Sequence, residues 1–424
     1  MKKSLLLFLT FTLFSSALSA ELYKPSRIVD VGIDAQFGAS QNVTGITDLL
    51  VKDLVINFTE IADSLDDDGL IFNVNTNEKF FVNINTGEYS GLGFYTTVSA
   101  AGRFSTGKGI FEFLGKGNSS GKINSTFAAQ SDFFIETGTS YKRKIRDLGF
   151  TFQAGYYMPV YYLPRTEMNV RVSTADTGYT VKAKGSADFN IYSNFDLSKA
   201  FNEDFEFSGT DDLFSAISAD TASLLGSGGI NLGIKSEYKL FSTLDTGAYL
   251  NVPIVPGRLK YKSKVKADFD AHVSTFLDSV GNDETEVDKD YNYSFKLGST
   301  EKTSYKVSTP LRLGAEAAWR PFGNWLTFRP SLGLAVRNPY GDDFKASDSI
   351  FAEYSLAADM RLLYVMNFHF ASLYQNRVFA QEFGFGFNFR VFEICFNLAS
   401  SSSSFAKSWT LSGVDASLGL RFGF

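Results

Sequence analysis

The sequence has few of the residues that build disulfide frameworks and metal centres. Its 424 residues include one cysteine, Cys395, and two histidines, His272 and His369. A single cysteine excludes an intramolecular disulfide and any multi-cysteine metal site. Two histidines argue against a histidine-based metal centre. We therefore predict no metal site and no other cofactor.

Long hydrophobic runs and strong charge are also missing. Beyond residue 20, no apolar run approaches the about 18 residues that a spanning helix needs. The formal net charge is only −6, with 40 basic and 46 acidic residues. A balance this weak lacks the basic excess that binding to nucleic acid requires. We predict no nucleic-acid partner.

The two histidines do not indicate an enzyme. Both fall on the polar side of an alternating stretch, and neither has a nucleophile motif beside it. We interpret them as polar lining residues without a catalytic role, and predict that the protein is not an enzyme.

Aromatic residues, in contrast, are abundant. The chain has 43 Phe and 20 Tyr, and aromatics make up 16% of it, yet the mean hydropathy is only −0.05. Strands that alternate between a lipid-facing and a water-facing side have this combination of high aromatic content and average hydropathy.

The first 20 residues have the pattern of a secretory signal peptide. Lys2 and Lys3 precede a short apolar run that ends in small residues up to Ala20. Cleavage after Ala20 or after Ser19 fits this pattern. We predict a signal peptide over residues 1–20 and one outer-membrane barrel domain over residues 21–424.

The last stretch, Asp415–Phe424, alternates strictly between apolar or small residues and polar residues or glycine. A transmembrane barrel strand needs about 9–11 residues of this pattern. A terminal Phe preceded by apolar residues at every second position resembles the assembly signal of bacterial outer-membrane β-barrel proteins. The resemblance implies recognition by the barrel assembly machinery, through Leu418, Leu420, Phe422 and Phe424. The alternative is an edge strand of a soluble sandwich.

Residues Leu311–Val336 give the clearest predicted hairpin, with its turn at Pro321–Asn324. Trp319 and Trp325 flank this turn, where an aromatic girdle at the membrane interface would lie. Further upstream, we predict two short strands, Leu70–Thr76 and Phe80–Thr86, around a turn at Asn77–Lys79.

The spacing of strands and loops predicts the fold class. It is all-β, a closed antiparallel transmembrane β-barrel of about 14 strands (12–16), with one or two short amphipathic helices in the lumen or loops. Longer loops such as Asn338–Ser349 should be extracellular, and tight turns such as Pro321–Asn324 periplasmic. We expect the protein in the cell outer membrane, in contact with its lipid.

Two segments have helical periodicity, Thr47–Leu65 and Thr210–Leu225. The first would be about 28 Å long, close to the thickness of the hydrocarbon core. We interpret it as a plug helix that narrows the pore, and the alternative is a cap outside the lumen. Its apolar stripe consists of Leu50, Leu54, Phe58, Ile61 and Leu65.

A row of basic residues alternates with apolar ones between Arg258 and His272. On a strand their side chains would stack about 6.6–6.8 Å apart on one face. Such a row could set an anion preference in a pore, and the alternative is a solvated face outside the membrane. The lumen-facing candidates are Lys182, Lys184, Arg258, Lys260, Lys262, Lys264, Lys266 and His272.

The predicted function is passage of small molecules across the outer membrane, through a channel that is either fatty-acid-transporter-like or porin-like. A barrel with internal helices and aromatic-rich walls resembles the long-chain fatty-acid transporter family, which implies 14 strands and an N-terminal plug. That family's Asn-Pro-Ala motif near the N-terminus is absent here, so no substrate-binding residue is carried over. The cargo would be a small molecule or a lipid. The alternative function is a structural or surface-exposed barrel that displays its loops to partners.

Overall fold

A computed structural model of the chain describes residues 27–43, 45, 58–66, 69–87, 90–116, 122–174, 180–275, 287–362, 365–389 and 391–424. These residues form one 17-stranded sheet in which every pairing is antiparallel. The strands are β1 (Val29–Gln41), β2 (Leu70–Gly87), β3 (Ser90–Thr106), β4 (Lys122–Ile145), β5 (Leu148–Thr174), β6 (Thr180–Ser193), β7 (Gly229–Phe241), β8 (Leu244–Val255), β9 (Gly257–Thr275), β10 (Val287–Val307), β11 (Leu311–Trp319), β12 (Leu326–Val336), β13 (Ile350–Leu362), β14 (Met366–Gln375), β15 (Val378–Asn388), β16 (Phe392–Ser402) and β17 (Gly413–Gly423). The predicted signal peptide lies outside the described residues.

Fourteen of these strands close into a barrel. The ring runs β1-β2-β3-β4-β5-β7-β8-β11-β12-β13-β14-β15-β16-β17 and returns to β1. Closure satisfies the backbone of every strand and leaves no sheet edge in the ring, which is what a lipid environment requires. The predicted fold class and strand number are confirmed.

The two ends of the barrel differ. Short turns such as 146–147, 242–243 and 389–391 connect strands at one end, which we call the turn end. The strand ends from which longer connections leave, among them the ends of β1, β3 and β12, lie at the other, the loop end. Residues 321–324 and 338–349 therefore fall at opposite ends, as the hairpin pattern predicts. Which end faces the cell exterior stays a prediction.

The first and last strands close the ring. β1 and β17 pair from Asp30↔Gly423 to Ser40↔Gly413 without a bulge. At the turn end, the Phe424 carbonyl accepts hydrogen bonds from Ile28 N at 2.6 Å and Val29 N at 3.1 Å. The C-terminal stretch is thus a wall strand, as predicted.

Three strands, β6, β9 and β10, lie outside the ring and form an extension that we call the lip. β5 pairs with β7 over Leu148–Tyr157 and then with β6 from Tyr161 onward. β9 continues β8 and β10 precedes β11, so the wall is taller on this side.

Prolines mark the places where the wall changes partner. Pro159 lies in β5 between its β7-paired and β6-paired halves, Pro256 separates β8 from β9, and Pro310 separates β10 from β11. Proline has no backbone N–H and cannot donate to a ladder, so it is tolerated where a ladder is interrupted.

Asn194 closes the resulting seam. Its side-chain amide donates to Pro159 O at 2.7 Å and Arg258 O at 3.0 Å, and its Oδ1 accepts from Lys260 N at 3.2 Å. From this residue the chain leaves the wall as an insertion, residues 194–228, and returns at β7. The insertion packs Phe195, Leu197 and Ala216 against Val160 of β5.

The described helices all lie in connections between strands. They are Phe58–Ser64, Gly109–Lys116, Thr210–Ala219, Thr221–Leu225 and the single turn Ala346–Ser349. The predicted helix Thr210–Leu225 is two helices, because Asp220 ends the first and precedes the second. The N-cap of the first is Gly209. The helix Gly109–Lys116 was not predicted.

One strand prediction was wrong. Residues 70–87 form one strand, and the predicted turn at Asn77–Lys79 does not exist. Asn77 pairs with Ser99 and Lys79 with Thr97 in an uninterrupted ladder with β3. These polar residues resemble a turn in sequence, but they lie in a strand whose inward side is polar.

The outer face of the ring is apolar on all sides. Large apolar side chains such as Leu332, Leu356 and Phe383 are exposed on this face. A water-soluble monomer rarely exposes so continuous an apolar surface. Together with the closed ring, it identifies a transmembrane barrel of the outer-membrane type. No helix among the described residues is long and apolar enough to cross a membrane.

Candidate functional site: the barrel interior

The inward-facing residues of the ring are largely polar, and two parts of the ring differ in how these residues meet solvent. We call β12–β17 with β1 the packed wall, and β7, β8 and β11 the accessible wall. The distinction depends on how much of each charged side chain reaches solvent.

Charged residues on the packed wall are buried in a hydrogen-bonded row. Asp359 is paired with His369 across β13 and β14. Its carboxylate lies 2.7 Å from Arg329 Nε and 2.6 Å from His369 Nδ1, and its side chain is 0% exposed. On the other side, His369 Nε2 lies 3.6 Å from Glu382 Oε1. Each charge is thus held by a partner on the next strand, as burial of charge requires.

Glycines let these side chains lie flat on the packed wall. Gly384 is paired with Asn397, and a Cβ at Gly384 would lie 1.8 Å from Asn397 Oδ1. A Cβ at Gly386 would lie 2.9 Å from the sulfur of Cys395 on the same neighbouring strand. The polar side chains therefore cover glycines of the next strand instead of projecting into the interior.

The accessible wall keeps its charges in contact with solvent. Lys235 Nζ lies 2.7 Å from Glu316 Oε1 and 3.4 Å from Glu237 Oε1. The three side chains are 41%, 30% and 49% exposed. Since they point into a closed ring, their exposure means that solvent reaches the interior along this wall.

Tyr249 lies between these residues and the loop end. A Cβ at Gly314 or at Gly333 would lie 2.6 Å or 2.5 Å from the Tyr249 hydroxyl, so the ring spans two neighbouring strands. Beyond it, Arg312 Nε lies 3.3 Å from Glu353 Oε2. The wall therefore alternates acidic and basic groups around a flat aromatic surface.

A belt of hydrogen bonds runs from β3 to the end of the lip. Tyr95 donates to Glu136 at 2.7 Å, Asn231 Nδ2 donates to Glu136 at 2.7 Å, and Thr309 donates to Asn231 Oδ1 at 2.8 Å. Glu136 and Asn231 lie on β4 and β7, so their bond passes over β5 at Gly155. Such a fully paired network rigidifies the wall.

The predicted lysine row lies on the lip and not in the ring. Carboxylates on neighbouring strands pair with it at Lys184–Asp270, 2.6 Å, and Lys264–Glu301, 3.9 Å, and Lys266 pairs with Asp268 of its own strand at 3.0 Å. Hydrogen bonds from Lys266 and Ser186 hold the pKa of the Asp268 carboxyl below its ordinary value.

The remaining members of the row are placed differently. In the ladder between β6 and β9, Lys262 is paired with Tyr192, so the two residues lie on the same face of the lip. Lys260 Nζ donates to Ser223 O at 2.9 Å, in the insertion, and Arg258 is exposed at the base of β9. Lys182 and His272 are paired through their backbones. A role of the row in anion preference stays a prediction.

The described part of the predicted plug helix is short. Leu50 and Leu54 lie outside the described residues, and the helix spans Phe58–Ser64. Within it Ile61 is half-buried, and Leu65, just beyond its end, is buried. The helix contacts the helix Gly109–Lys116, which belongs to another loop-end connection. Its action as a plug stays a prediction.

The residues predicted for the girdle lie at the turn end, and those predicted for the assembly signal extend from the middle of β17 to that end. Trp319 and Trp325 flank the turn Pro321–Asn324 and are about half exposed. Phe422 and Phe424 are exposed, whereas Leu418 and Leu420 are half-buried. Their roles in the interface and in assembly stay predictions.

A second set of aromatic residues, at the loop end, was not predicted. Tyr354, Tyr374 and Phe379 stack across β13–β15, with ring centroids 6.2 Å and 4.2 Å apart. Phe405 continues the set at 5.5 Å from Phe379, and Trp409 follows at 6.4 Å. The available signal was an aromatic residue at the loop-end side of each of three consecutive strands, β13, β14 and β15.

The accessible wall was also missed. Lys235, Glu237 and Glu316 come together only because β7 and β11 are both neighbours of β8. Pairing between strands so distant in sequence leaves no local signal.

The interior contains no arrangement that indicates catalysis or metal binding among the residues described. The two ring nitrogens of His369 face carboxylates, so neither is positioned to activate a hydroxyl nucleophile. No group of three or more His, Cys, Asp or Glu side chains in the described part of the chain is placed to hold a metal ion.

Comparisons with known proteins find distant structural similarities to this closed barrel. No family model matches the chain, and no curated protein does. Among solved structures, it is similar to the P. putida toluene transporter TodX at 8% sequence identity. The TM-score is 0.45, and the match covers 97% of this chain and 93% of that one. It is also similar to the CymD monoaromatic hydrocarbon channel at 10% identity, with a TM-score of 0.39, covering 97% and 94%. At these scores the likenesses carry no argument about function.

Proposed function

We propose that this protein is an outer-membrane channel through which small, water-soluble molecules pass. The observation that carries the proposal is the exposure of Lys235, Glu237 and Glu316 inside a closed ring. Charged groups facing a dry interior would be neutralised or fully paired. Their exposure is expected when water fills the space beside the accessible wall.

The chemistry of that wall favours polar over hydrophobic cargo. A fatty acid chain passing Lys235 and Glu316 would strip water from both charges and return no hydrogen bonds. A small polar solute replaces the lost water with its own donors and acceptors. Of the two kinds of passage predicted from the sequence, the porin-like one therefore has the better support.

Reconstitution tests the proposal. Purified protein in planar bilayers should show stepwise conductance, and liposomes that contain it should swell in isosmotic sugar. Denatured protein in the same detergent is the control. Absence of both signals from protein that shows heat-modifiable migration would contradict a channel and favour the alternative, a closed surface barrel.

We further propose that the segment Thr47–Leu65 narrows the passage. The described part, Phe58–Ser64, lies in the connection between β1 and β2 and packs on the helix Gly109–Lys116. Excising Thr47–Leu65 should raise the conductance while the barrel still inserts. Unchanged permeability in a normally inserted protein would show that the segment is not a plug.

We also propose how the protein reaches the outer membrane. Removal of residues 1–20 on export and recognition of the last strand by the assembly machinery would bring the barrel there. Mass spectrometry of the protein from isolated outer membranes gives the start of the mature chain.

A further inference from the structure

One loop-end connection that leaves the packed wall contacts β4, β5 and the end of β10. It is the segment Arg337–Asp343, which follows β12 and which we call the strap. Arg337 Nη2 lies 2.8 Å from Asp132 Oδ2 on β4. In the ring, the strands β5, β7, β8 and β11 lie between β4 and β12. The Arg337 side chain therefore reaches from the end of β12 to β4, although four strands separate the two in the ring.

A second set of contacts ties the strap to the base of the lip. Tyr162 of β5 donates to Asp343 Oδ2 at 2.7 Å, and Asn338 Nδ2 donates to Asp343 Oδ1 at 2.6 Å. On the far side, Ser308 N donates to Asn338 Oδ1 at 2.7 Å.

The strap is held in one conformation. Asn338 has a positive φ of 46°, and Gly341 N donates to its carbonyl at 3.0 Å to close a turn. Lys306 N donates to Asp342 Oδ2 at 2.8 Å. A surface loop without a functional role rarely makes so many hydrogen bonds to separate strands.

Aromatic residues fill the space that the strap encloses. The ring of Tyr305 stacks on Tyr192 at 3.7 Å and on Tyr162 at 6.0 Å between centroids. Tyr162, Leu259 and Val307 are buried in the same cluster. On this side of the mouth, the lip and the strap thus surround a packed core, and a solute has to enter through the other side.

We propose that the strap sets the size limit of the passage, with the Asp132–Arg337 ion pair as its fastening. This inference rests on the proposed channel function. Both charges are mostly buried, at 18% and 25% exposed, so removing one leaves the other without its partner. The strap should then detach from β4 and widen the opening.

The test compares conductance and sugar permeability in fastened and unfastened strap variants. Asp132→Asn and Arg337→Gln should each raise single-channel conductance about twofold and admit larger sugars in liposome swelling. Exchanging the two charges, Asp132→Arg with Arg337→Asp, should return both values towards those of the unmodified protein. The matched control is Arg320→Gln, which breaks the 2.7 Å pair with Asp245 at the turn end.

A covalent fastening gives a second measurement. In a Cys395→Ser background, Asp132→Cys with Arg337→Cys should behave as unfastened, and a short bis-maleimide bridge should restore the smaller size limit. This arm keeps the inference testable if one charge variant fails to insert.

The outcomes separate the strap from the channel itself. If the unmodified protein conducts and all folded variants match it, the strap inference is overturned and the channel stands. If only the unfastened variants conduct, the strap closes the mouth, which supports the inference in its stronger form. Silence from every variant overturns both.

Discussion

The packed wall and the accessible wall both point polar side chains inward, yet they differ in solvation. Asp359 on the packed wall is 0% exposed, whereas Glu237 on the accessible wall is 49% exposed. The packed wall covers glycines with its side chains, as Asn397 does at Gly384. The accessible wall extends its charges into the interior.

This difference shows that inward polarity alone does not define a passage. The alternation along a strand predicts which side chains point inward. The residues of the neighbouring strand determine whether such a side chain lies flat against the wall or projects into the interior. Four predictions test this view, from the largest expected effect to the smallest.

Removing Phe424 should abolish the ring on which both walls depend. Its carbonyl binds the start of β1, and its side chain is exposed on the lipid-facing side. We expect roughly tenfold less protein in the outer membrane, because β17 cannot insert and close. Phe405→Ala, in a loop-end connection, is the control. Normal yield and heat-modifiable migration after deletion would contradict the prediction.

Gly384→Ala should break the packed wall. A Cβ there overlaps Asn397, so the side chain has to leave its place. Overpacking of this kind costs about 1–3 kcal/mol, measurable as a lower midpoint of unfolding in urea. Gly102→Ala is the matched control, because its nearest contact would be an ordinary 3.6 Å. Equal midpoints for the two variants would argue against flat packing.

Lys235→Glu should change the selectivity of the accessible wall without unfolding it. The wall would then hold three neighbouring carboxylates, at residues 235, 237 and 316. We expect the cation-to-anion permeability ratio to rise about two- to threefold, measured as a reversal potential in a salt gradient. Lys199→Glu makes the same charge change in the insertion outside the ring and should leave the ratio unchanged.

Lys266→Gln on the lip should have the smallest effect. Its pair with Asp268 is exposed, and such pairs contribute about 0–1 kcal/mol. We expect unchanged stability and a slight loss of anion preference if the lysine row lies along the route. A change in the permeability ratio as large as that of Lys235→Glu would indicate that the lip, and not the accessible wall, selects between ions.

Much of the ring could be predicted from periodicity. The hairpin Leu311–Val336 and the last strand follow the apolar alternation that the structure confirms. The same rule misplaced a turn at Asn77–Lys79, because short polar residues favour turns and also occur on the inward face of a barrel strand. Local chemistry cannot separate these cases, and only the ladder with β3 does.

The lip and the strap could not be predicted for a different reason. Pro159 and Pro256 mark the interruptions in the ladder, but they do not say which strand takes over. Arg337 meets Asp132 across 205 residues of sequence. No spacing rule covers such a distance.

The closure of the ring by β1 and β17 also has a kinetic consequence. Asp30 finds its partner Gly423 only when nearly the whole chain is available, so the last contact is the one with the highest loop-closure entropy. Until then two unpaired strand edges are open to other chains. Folding of this barrel should therefore be slow and prone to aggregation in water, and its yield on refolding should fall steeply as protein concentration rises.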